Sequence, residues 1–396
     1  MGRELKEVVV IDALRTPFGK AGEKGMFWRT RAEDLCTPLL KALIARNPAV
    51  EPAMVEDIIW GVTNQMKEQG GTLGRMLPML ADWGWSVPGC SVDRMCAGGL
   101  TAVNFGVNFI AAGAADCVVA GGVEHMGHLP MGFMRDPHPR SIEVMGDESA
   151  FSMGMTAENI HDRFPEITKE MADLYSLACQ KRADQAIKAG KMKDMIIPIE
   201  IELADGTKKM ADKDEQPRPG TTMEGLATLK TPFRENGRVT PGNASGLNDG
   251  AAGVLLMSAD KAKELGLTPK MRWVSSAVAG VDPKIMGTAP VPACKKALAR
   301  AGLKVDDIGV IELNEAFAVQ ALHNLINLGL KPDDPRVNMW GGSIAFGHPL
   351  ASSGPRLVAF LQGLFKENPG ARYGLTTMCV GRGQGYAMIW ENLQWK

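Results

Sequence analysis

Four stretches of the chain set a reactive or hydrogen-bonding side chain among residues too small to crowd it. In 91-SVDRMCAGGLTAV-103, Cys96 precedes Ala97, Gly98 and Gly99 and an apolar run with helical spacing. A helix N-terminus offers unpaired N–H groups and partial positive charge, which lower a thiol's pKa and favour the thiolate. The chemistry would be attack on a carbonyl, with the Cys96 N–H facing the developing oxyanion. The competing reading is an inert, buried thiol, the usual fate of free cysteine. In 341-GGSIAFGHPLASSGPR-356, His348 follows a Gly-rich strand end and precedes Pro349, which can open a helix. That placement suits a general base, and a satisfied structural histidine fits it equally well.

In 376-TTMCVGRGQG-385, Cys379 ends a strand before Gly381, Gly383 and Gly385. The glycines lack the Lys-Ser/Thr of a phosphate loop, so they read as backbone N–H groups held close to a ligand. In 312-ELNEAFA-318, Asn314 and Glu315 sit between a strand and a helix, where a helix N-cap explains Asn314 as well as a catalytic role does. His125 and His128 read as structural, with no further ligand clustered beside them and no zinc spacing anywhere.

The elements positioning these residues alternate. A buried strand near 7–12, a helix over 33–46, a helix after Cys96 and a strand over 115–120 closed by Gly121-Gly122 describe a layered α/β half (1–122, rejoined by 248–269). Residues 123–247 form an excursion rich in Met, Pro and charge. Its clear helix spans 168–189, capped by Thr168, with Met171, Leu174, Tyr175, Ala178 and Ile187 along one side. A second half (270–396) reads as strand 271–279, helix 290–302, strand 308–313, helix 315–328, strand 337–340, helix 352–366 and strands 373–378 and 385–391. A weak internal echo links 91–122 to 337–385, since each runs from a strand through a reactive residue into a helix and a strand.

Composition excludes several classes. With 44 basic against 45 acidic residues, no global field attracts nucleic acid or an anionic membrane, so an anionic ligand needs a local site. The seven scattered cysteines (36, 90, 96, 117, 179, 294, 379) contain no CxxC, which points to reduced thiols rather than disulfides or structural zinc. No membrane span or targeting segment is expected, which reads as a cytoplasmic protein.

Taken together, the stretches resemble the thiolase family across essentially the whole chain. The matching segments run in family order: RTPFG at 15–19, the cysteine turn at 91–99, GGVEHM at 121–126, MGMTAEN at 153–159 and NASGLNDGAA at 243–252. They continue with MGTAPVPA at 286–293, NEAFA at 314–318, GHP at 347–349 and CVGRGQG at 379–385. The segment VEHMGHLPM looks most like the 3-ketoacyl-CoA branch of β-oxidation.

The resemblance implies a duplicated, five-layer αβαβα thiolase fold whose inserted loop domain, 123–247, covers coenzyme A. It implies Cys96 as nucleophile, His348 as its base, Cys379 as the acid/base for the acetyl unit, and Asn314 holding a water with His348. The N–H groups of Cys96 and Gly381 would form the other oxyanion hole. Met153 and Met286 would wall the acyl pocket, and Ser245, Ala316 and Phe317 the pantetheine tunnel. Coenzyme A would be a co-substrate beside 3-ketoacyl-CoA and acetyl-CoA, with no resident cofactor or metal. A homodimer or homotetramer is implied, and β-oxidation members often bind a hydratase–dehydrogenase partner.

Five positions depart from the family pattern: Asp93, Ala289, Trp340, Ala351 and Pro355. All are expected close to the pocket, and Asp93 is expected to raise the Cys96 pKa unless paired, for instance with Arg94. A ketoacyl synthase of similar architecture would carry a histidine where Cys379 stands. An acetoacetyl-CoA thiolase working in the biosynthetic direction and a non-catalytic acyl-CoA-binding protein are the remaining alternatives.

Overall fold

The computed structural model describes residues 5–132 and 136–395; residues 1–4, 133–135 and 396 lie outside that description. β1 (Val8–Arg15) is buried along its whole length, as its unbroken apolar start requires. There follow β2 (Gly19–Lys20), α1 (Ala32–Ala45), β3 (Asp57–Gly61), α2 (Leu73–Leu80), β4 (Gly89–Val92), α3 (Gly98–Ala111) and β5 (Cys117–His125). The excursion supplies α4 (Pro139–Met145), α5 (Met153–Arg163), α6 (Lys169–Lys188), a hairpin of β6 (Ile199–Glu202) and β7 (Lys208–Ala211), and α7 (Met223–Ala227). The chain returns through β8 (Asn248–Ser258) and leaves by α8 (Ala259–Glu264). The second half contains β9 (Met271–Gly280), α9 (Pro290–Ala301), β10 (Ile308–Leu313), α10 (Ala318–Asn327), α11 (Ser343–Phe346), α12 (Leu350–Glu367), β11 (Tyr373–Val380) and β12 (Gln384–Asn392).

The strands lie in the order β10-β11-β12-β9-β1-β8-β5-β3-β4, with β2 beside β8. The halves join through β1 and β9, paired only at Val9–Arg272 and Val10–Met271. Within each half the pairings repeat. β5 is parallel to β3 and antiparallel to β8, which is antiparallel to β1. Likewise β11 is parallel to β10 and antiparallel to β12, which is antiparallel to β9. β4 lies parallel outside β3, and the matching place outside β10 holds one parallel bridge, Ile311 to Val337. α3 and α12 pack together, and α12 touches strands of both halves, while α1 covers β1, β5 and β8 and α9 covers β9, β11 and β12. Helix, sheet, helices, sheet, helix is the expected five-layer order.

Three elements differ from the sequence reading. β5 runs through Gly121-Gly122 to His125, because β3 and β8 pair with both glycines. The strand expected over 337–340 is reduced to the Val337 bridge, since Asn338 takes φ +46° and turns its amide onto the N–H and carbonyl of Leu313. On α6 the Thr168 cap forms, with Oγ1 accepting from the Met171 N–H at 3.2 Å. Its buried face is not the expected one, however: Leu174 is 58% exposed and Ile187 41%. The helix turns Asp173, Tyr175, Cys179 and Gln180 inward because each has a partner there. Tyr175 and Cys179 donate to Glu315, Asn243 donates to Asp173, and the Arg218 N–H donates to Gln180. Satisfied polar groups share the buried face with Ala172, Leu177, Ala183 and Ala186.

Candidate active site

Cys96 follows β4 through a strained turn. Met95 holds φ +46°, an uncommon region for a side chain-bearing residue, and Asp93 Oδ1 accepts its N–H at 2.6 Å. Met95–Ala97 form a single 3-10 turn, and α3 begins only at Gly98. The thiol is enclosed, and burial pushes its pKa up to about 11, against the downward pull of the Gly381 and Cys96 N–H groups. This overturns the expectation of a thiolate favoured at rest. Glu124 and, least, Asp93 add to the rise; Asp93 is therefore a minor influence. Arg94 is engaged with Thr101 Oγ1 and Gln384 Oε1, both at 3.0 Å.

His348 is delivered by Gly347, at φ +99°, where an added Cβ would lie 2.4 Å from the Asn248 amide. The His348 N–H donates to that amide's Oδ1 at 3.0 Å. Nδ1 is 2.6 Å from Ser353 Oγ, and Nε2 is 3.5 Å from Asn314 Nδ2. An amide nitrogen only donates, so Nε2 presents its lone pair and Nδ1–H donates to Ser353. Burial, then the Arg356 charge, pushes the imidazole down to about 3. The ring is neutral at physiological pH, the form in which it accepts a proton. Asn248 and Ser353 were missed by the sequence reading, although Ser353 lies in the quoted stretch, five residues after His348.

Asn314 is not a helix cap. α10 starts at Ala318, and residues 316–318 stay out of the helix or at its very start, with Phe317 extended, because they clip onto 243–245. Phe317 bridges Ala244, the Ser245 N–H donates to the Ala316 carbonyl at 2.9 Å, and the Ala318 N–H donates to that of Asn243 at 2.8 Å. The clip brings Ser245 together with Ala316 and Phe317, which lie some way along the chain from it. These three join Cys96, His348, Met153 and Met286 on the wall of one cavity of about 600 Å³. Apolar side chains dominate the wall, and Arg218 is its one charged residue among those described. Arg218 carries no signal in the sequence.

Cys379, Asn314 and Gly381 are not among the residues lining that cavity, but they adjoin its Cys96 and His348. Cys379, near the end of β11, is buried, and burial followed by the Cys96 charge holds its thiol far above the ordinary range. The Gly381 N–H reaches the Cys96 sulfur, and an added Cβ at Gly381 would lie 2.8 Å from Met95 Sδ. None of the five departing residues lines the cavity itself. Trp340 is remote from it, donating to Glu367 and packing edge-on to Phe360. Ala351 and Pro355 instead abut the backbone of Gly98, Gly99 and Gly122.

Glu68 closes on His125 and His128, a neighbour the sequence did not reveal. Each ring nitrogen nevertheless has a protein partner. His125 Nε2 meets the carbonyls of Phe27 and Thr30 and Nδ1 the His128 N–H, while His128 meets Glu68 and the Trp28 carbonyl.

Comparison with known proteins agrees with this architecture. The thiolase N-terminal domain matches residues 8–260 and the thiolase C-terminal domain residues 267–392. The 3-ketoacyl-CoA thiolase of Pseudoalteromonas translucida is 45% identical over 388 residues, 98% of this chain and 99% of its own. That of Idiomarina loihiensis is 45% identical over 391 residues, 98% of this chain and all of its own. Among solved structures, human mitochondrial 3-ketoacyl-CoA thiolase superposes with TM-score 0.89 at 34% identity, over 98% of this chain and 100% of that one. Bacillus anthracis acetyl-CoA acetyltransferase gives 0.88 at 36%, over 99% and 100%. Both halves of the molecule match one family, over residues 8–260 and 267–392: the chain belongs to the thiolase family.

Proposed function

We propose that the protein is an acyl-CoA C-acyltransferase that cleaves 3-ketoacyl-CoA with coenzyme A, giving acetyl-CoA and a shortened acyl-CoA. The observation carrying this reading is the meeting of a neutral thiol and a neutral imidazole, Cys96 and His348, on one apolar cavity. Because neither group is charged at rest, the proton leaves Cys96 for His348 Nε2 as sulfur bonds to the ketone carbon. The N–H groups of Cys96 and Gly381 take the resulting oxyanion. The carbon–carbon bond then breaks, leaving the acyl group on Cys96 as a thioester and the electron pair on an acetyl-CoA enolate. Cys379 protonates that enolate, while His348 and Asn314 bear the charge on its thioester oxygen. The thiol of coenzyme A then takes the acyl group from Cys96, giving its proton to the Cys379 thiolate while the leaving Cys96 sulfur recovers the proton held by His348.

The segment 123–247 roofs the substrate, a role supported by Met126, Phe151, Met153, Arg218, Phe233 and Ser245 on the cavity wall. Met153 and Met286 border the acyl chain, Ser245, Ala316 and Phe317 the pantetheine, and Arg218 meets a coenzyme phosphate. A homodimer fits the edge strand β4 and the exposed Met76, Leu80, Trp85, Phe105 and Phe109 on and beside α2 and α3. A mass in solution of twice the 42.5 kDa chain tests it. Among the described residues no helix is long and apolar enough to cross a membrane. All seven cysteines are free, which supports a cytoplasmic setting.

Cys96→Ala is expected to abolish coenzyme-A-dependent cleavage of acetoacetyl-CoA with an unchanged thermal melt. Peptide mass analysis after incubation with acyl-CoA is expected to find acyl groups on Cys96. Wild-type rates in the variant, or acyl label on Cys379 alone, would sink this mechanism.

A further inference from the structure

A buried chain of donors ends on the amide of Asn314. Arg356, in α12, donates from Nη2 to Ser343 Oγ at 2.6 Å. Ser343, the first residue of α11, donates from Oγ to Asn314 Oδ1 at 2.6 Å. A guanidinium has only donors and a serine hydroxyl has a single hydrogen. With its lone pair turned to Arg356, Ser343 sends that hydrogen to Asn314. The amide is thereby fixed with Oδ1 toward α11 and Nδ2 toward His348.

The guanidinium is not placed for a tight ion pair. Its Nη1 is 3.5 Å from Glu312 Oε2, while Arg356 Nε and Glu312 Oε1 have no partner at all. Arg356, Glu312, Ser343 and Asn314 are all sealed from solvent. Burying a cation with so little compensation is costly, and its shortest contact is the one into Ser343. It also has a longer contact from Nη2 to Asn314 Oδ1 at 3.5 Å and the Phe360 ring 4.9 Å away. The same arrangement leaves the cation close enough to His348 to disfavour a second charge there.

We propose that Ser343 and Arg356 are positioning residues for the reaction, locking the Asn314 amide so that its N–H, and never its carbonyl, faces the thioester oxygen of the acetyl unit. This rests on the acyltransferase reading above. If the amide turned over, Oδ1 would oppose the His348 Nε2 lone pair in the resting enzyme and the charge of the enolate as it forms. Polarisation along the chain from the guanidinium strengthens the terminal donor.

The test separates two partial reactions of the intact enzyme. Exchange of the acetyl-CoA methyl hydrogens with D₂O requires the enolate, and exchange of labelled coenzyme A into acetyl-CoA requires only acylation of Cys96. Loss of an oxyanion donor costs about 10²–10³-fold, and Arg356 Nη2 retains a direct 3.5 Å contact with Asn314 Oδ1. Ser343→Ala is therefore expected to lower hydrogen exchange at least about tenfold relative to coenzyme A exchange. Taking the ratio within one sample removes any loss of folded protein. Ser343→Thr, which keeps the hydroxyl, is expected to restore much of the ratio. A Ser343→Ala ratio within about twofold of wild type overturns the proposal, because an amide held equally well without the hydroxyl needs no such lock. If wild type catalyses neither exchange, it is the acyltransferase reading that fails.

Discussion

The α3–α12 crossing carries both ends of the site, and Gly99→Ala tests how rigidly it does so. An added Cβ at Gly99 would lie 2.2 Å from the Ala351 carbonyl oxygen and 2.7 Å from Pro355 Cδ, where ordinary contact begins at 3.4 Å. The shortfall against backbone is 3.4 − 2.2, about 1.2 Å, and neither partner is the free end of a flexible side chain. Alanine is the better helix former by about 1 kcal/mol. Overpacking a close crossing costs roughly 1–3 kcal/mol, so a net destabilisation on the order of 1 kcal/mol is expected. The larger effect falls on turnover. Cys96 stands three residues before Gly99 and His348 three before Ala351, so helices pushed apart carry the two reactive groups apart. A misplacement of about 1 Å can cost about 100-fold in rate. Thiolysis of acetoacetyl-CoA is therefore expected to fall by that order while the thermal midpoint drops by a few degrees. Gly370→Ala is the control, since an added Cβ there meets nothing within 4 Å. Full turnover with an unchanged or raised midpoint in Gly99→Ala would refute the reasoning.

Gly154→Ala would place a Cβ 2.2 Å from the Phe233 ring at the cavity wall, and that ring can give way because Phe233 is 41% exposed. A raised KM for acyl-CoA with kcat within about threefold is expected, and unchanged steady-state constants would remove Phe233 from the substrate path. Burial pushes the Asp249 carboxyl up to about 7. A raised carboxyl binds its proton more tightly in the native state, so its contribution to stability is full near pH 4, declines as pH rises and is gone above about 7. Asp249→Asn keeps an acceptor for the Gly127 N–H, bound at 2.8 Å, and removes the titration. The urea midpoint of wild type is expected to gain on that of the variant between pH 8 and pH 5, and parallel profiles would count against the assignment.

Legibility in the sequence followed how local each cause was. The Thr168 cap, the strand of β10 and the helix of α12 rest on neighbouring residues, and they appear within a few positions of where the sequence places them. The residues proposed to react stand out in the sequence because Cys96, His348 and Cys379 each sit at or near the end of an element, within two residues of a glycine. What stayed hidden depended on partners far along the chain. Nothing near Ala316 indicates that residues 316 and 317 stay out of the helix, since the cause is the clip onto 243–245. Nothing near Leu174 indicates that it faces outward, since the inward face of α6 is chosen by Glu315, Asn243 and Arg218. The thiol's high pKa was misread for the same reason. The local feature, the helix start, argues for a low value, while the burial that raises it comes from residues brought in from the second half, among them Met286, His348 and Leu350 on the same cavity wall.

The duplication explains why the two halves contribute unlike parts. β4 leads through Cys96 into α3 and β5, and the Val337 bridge leads through His348 into α12 and β11, so nucleophile and base occupy equivalent switches. The next connection differs. Between β11 and β12 the chain turns within residues 381–383, with Arg382 and Gly383 both at positive φ, and this tight turn carries the Gly381 N–H to the Cys96 sulfur. At the equivalent place in the first half, between β5 and β8, the chain runs out through residues 126–247 and builds much of the cavity wall. One copy of the connection was kept short enough to donate a backbone hydrogen bond at the reacting atom. The other grew long enough to enclose a cofactor-sized thioester. Shortening the first turn's counterpart would remove the enclosure, and lengthening the turn at Gly381 would remove the donor. On the mechanism proposed above, the asymmetry between the halves is a division of labour: one connection brings a backbone donor to the thiol, and the other walls the cavity beside it.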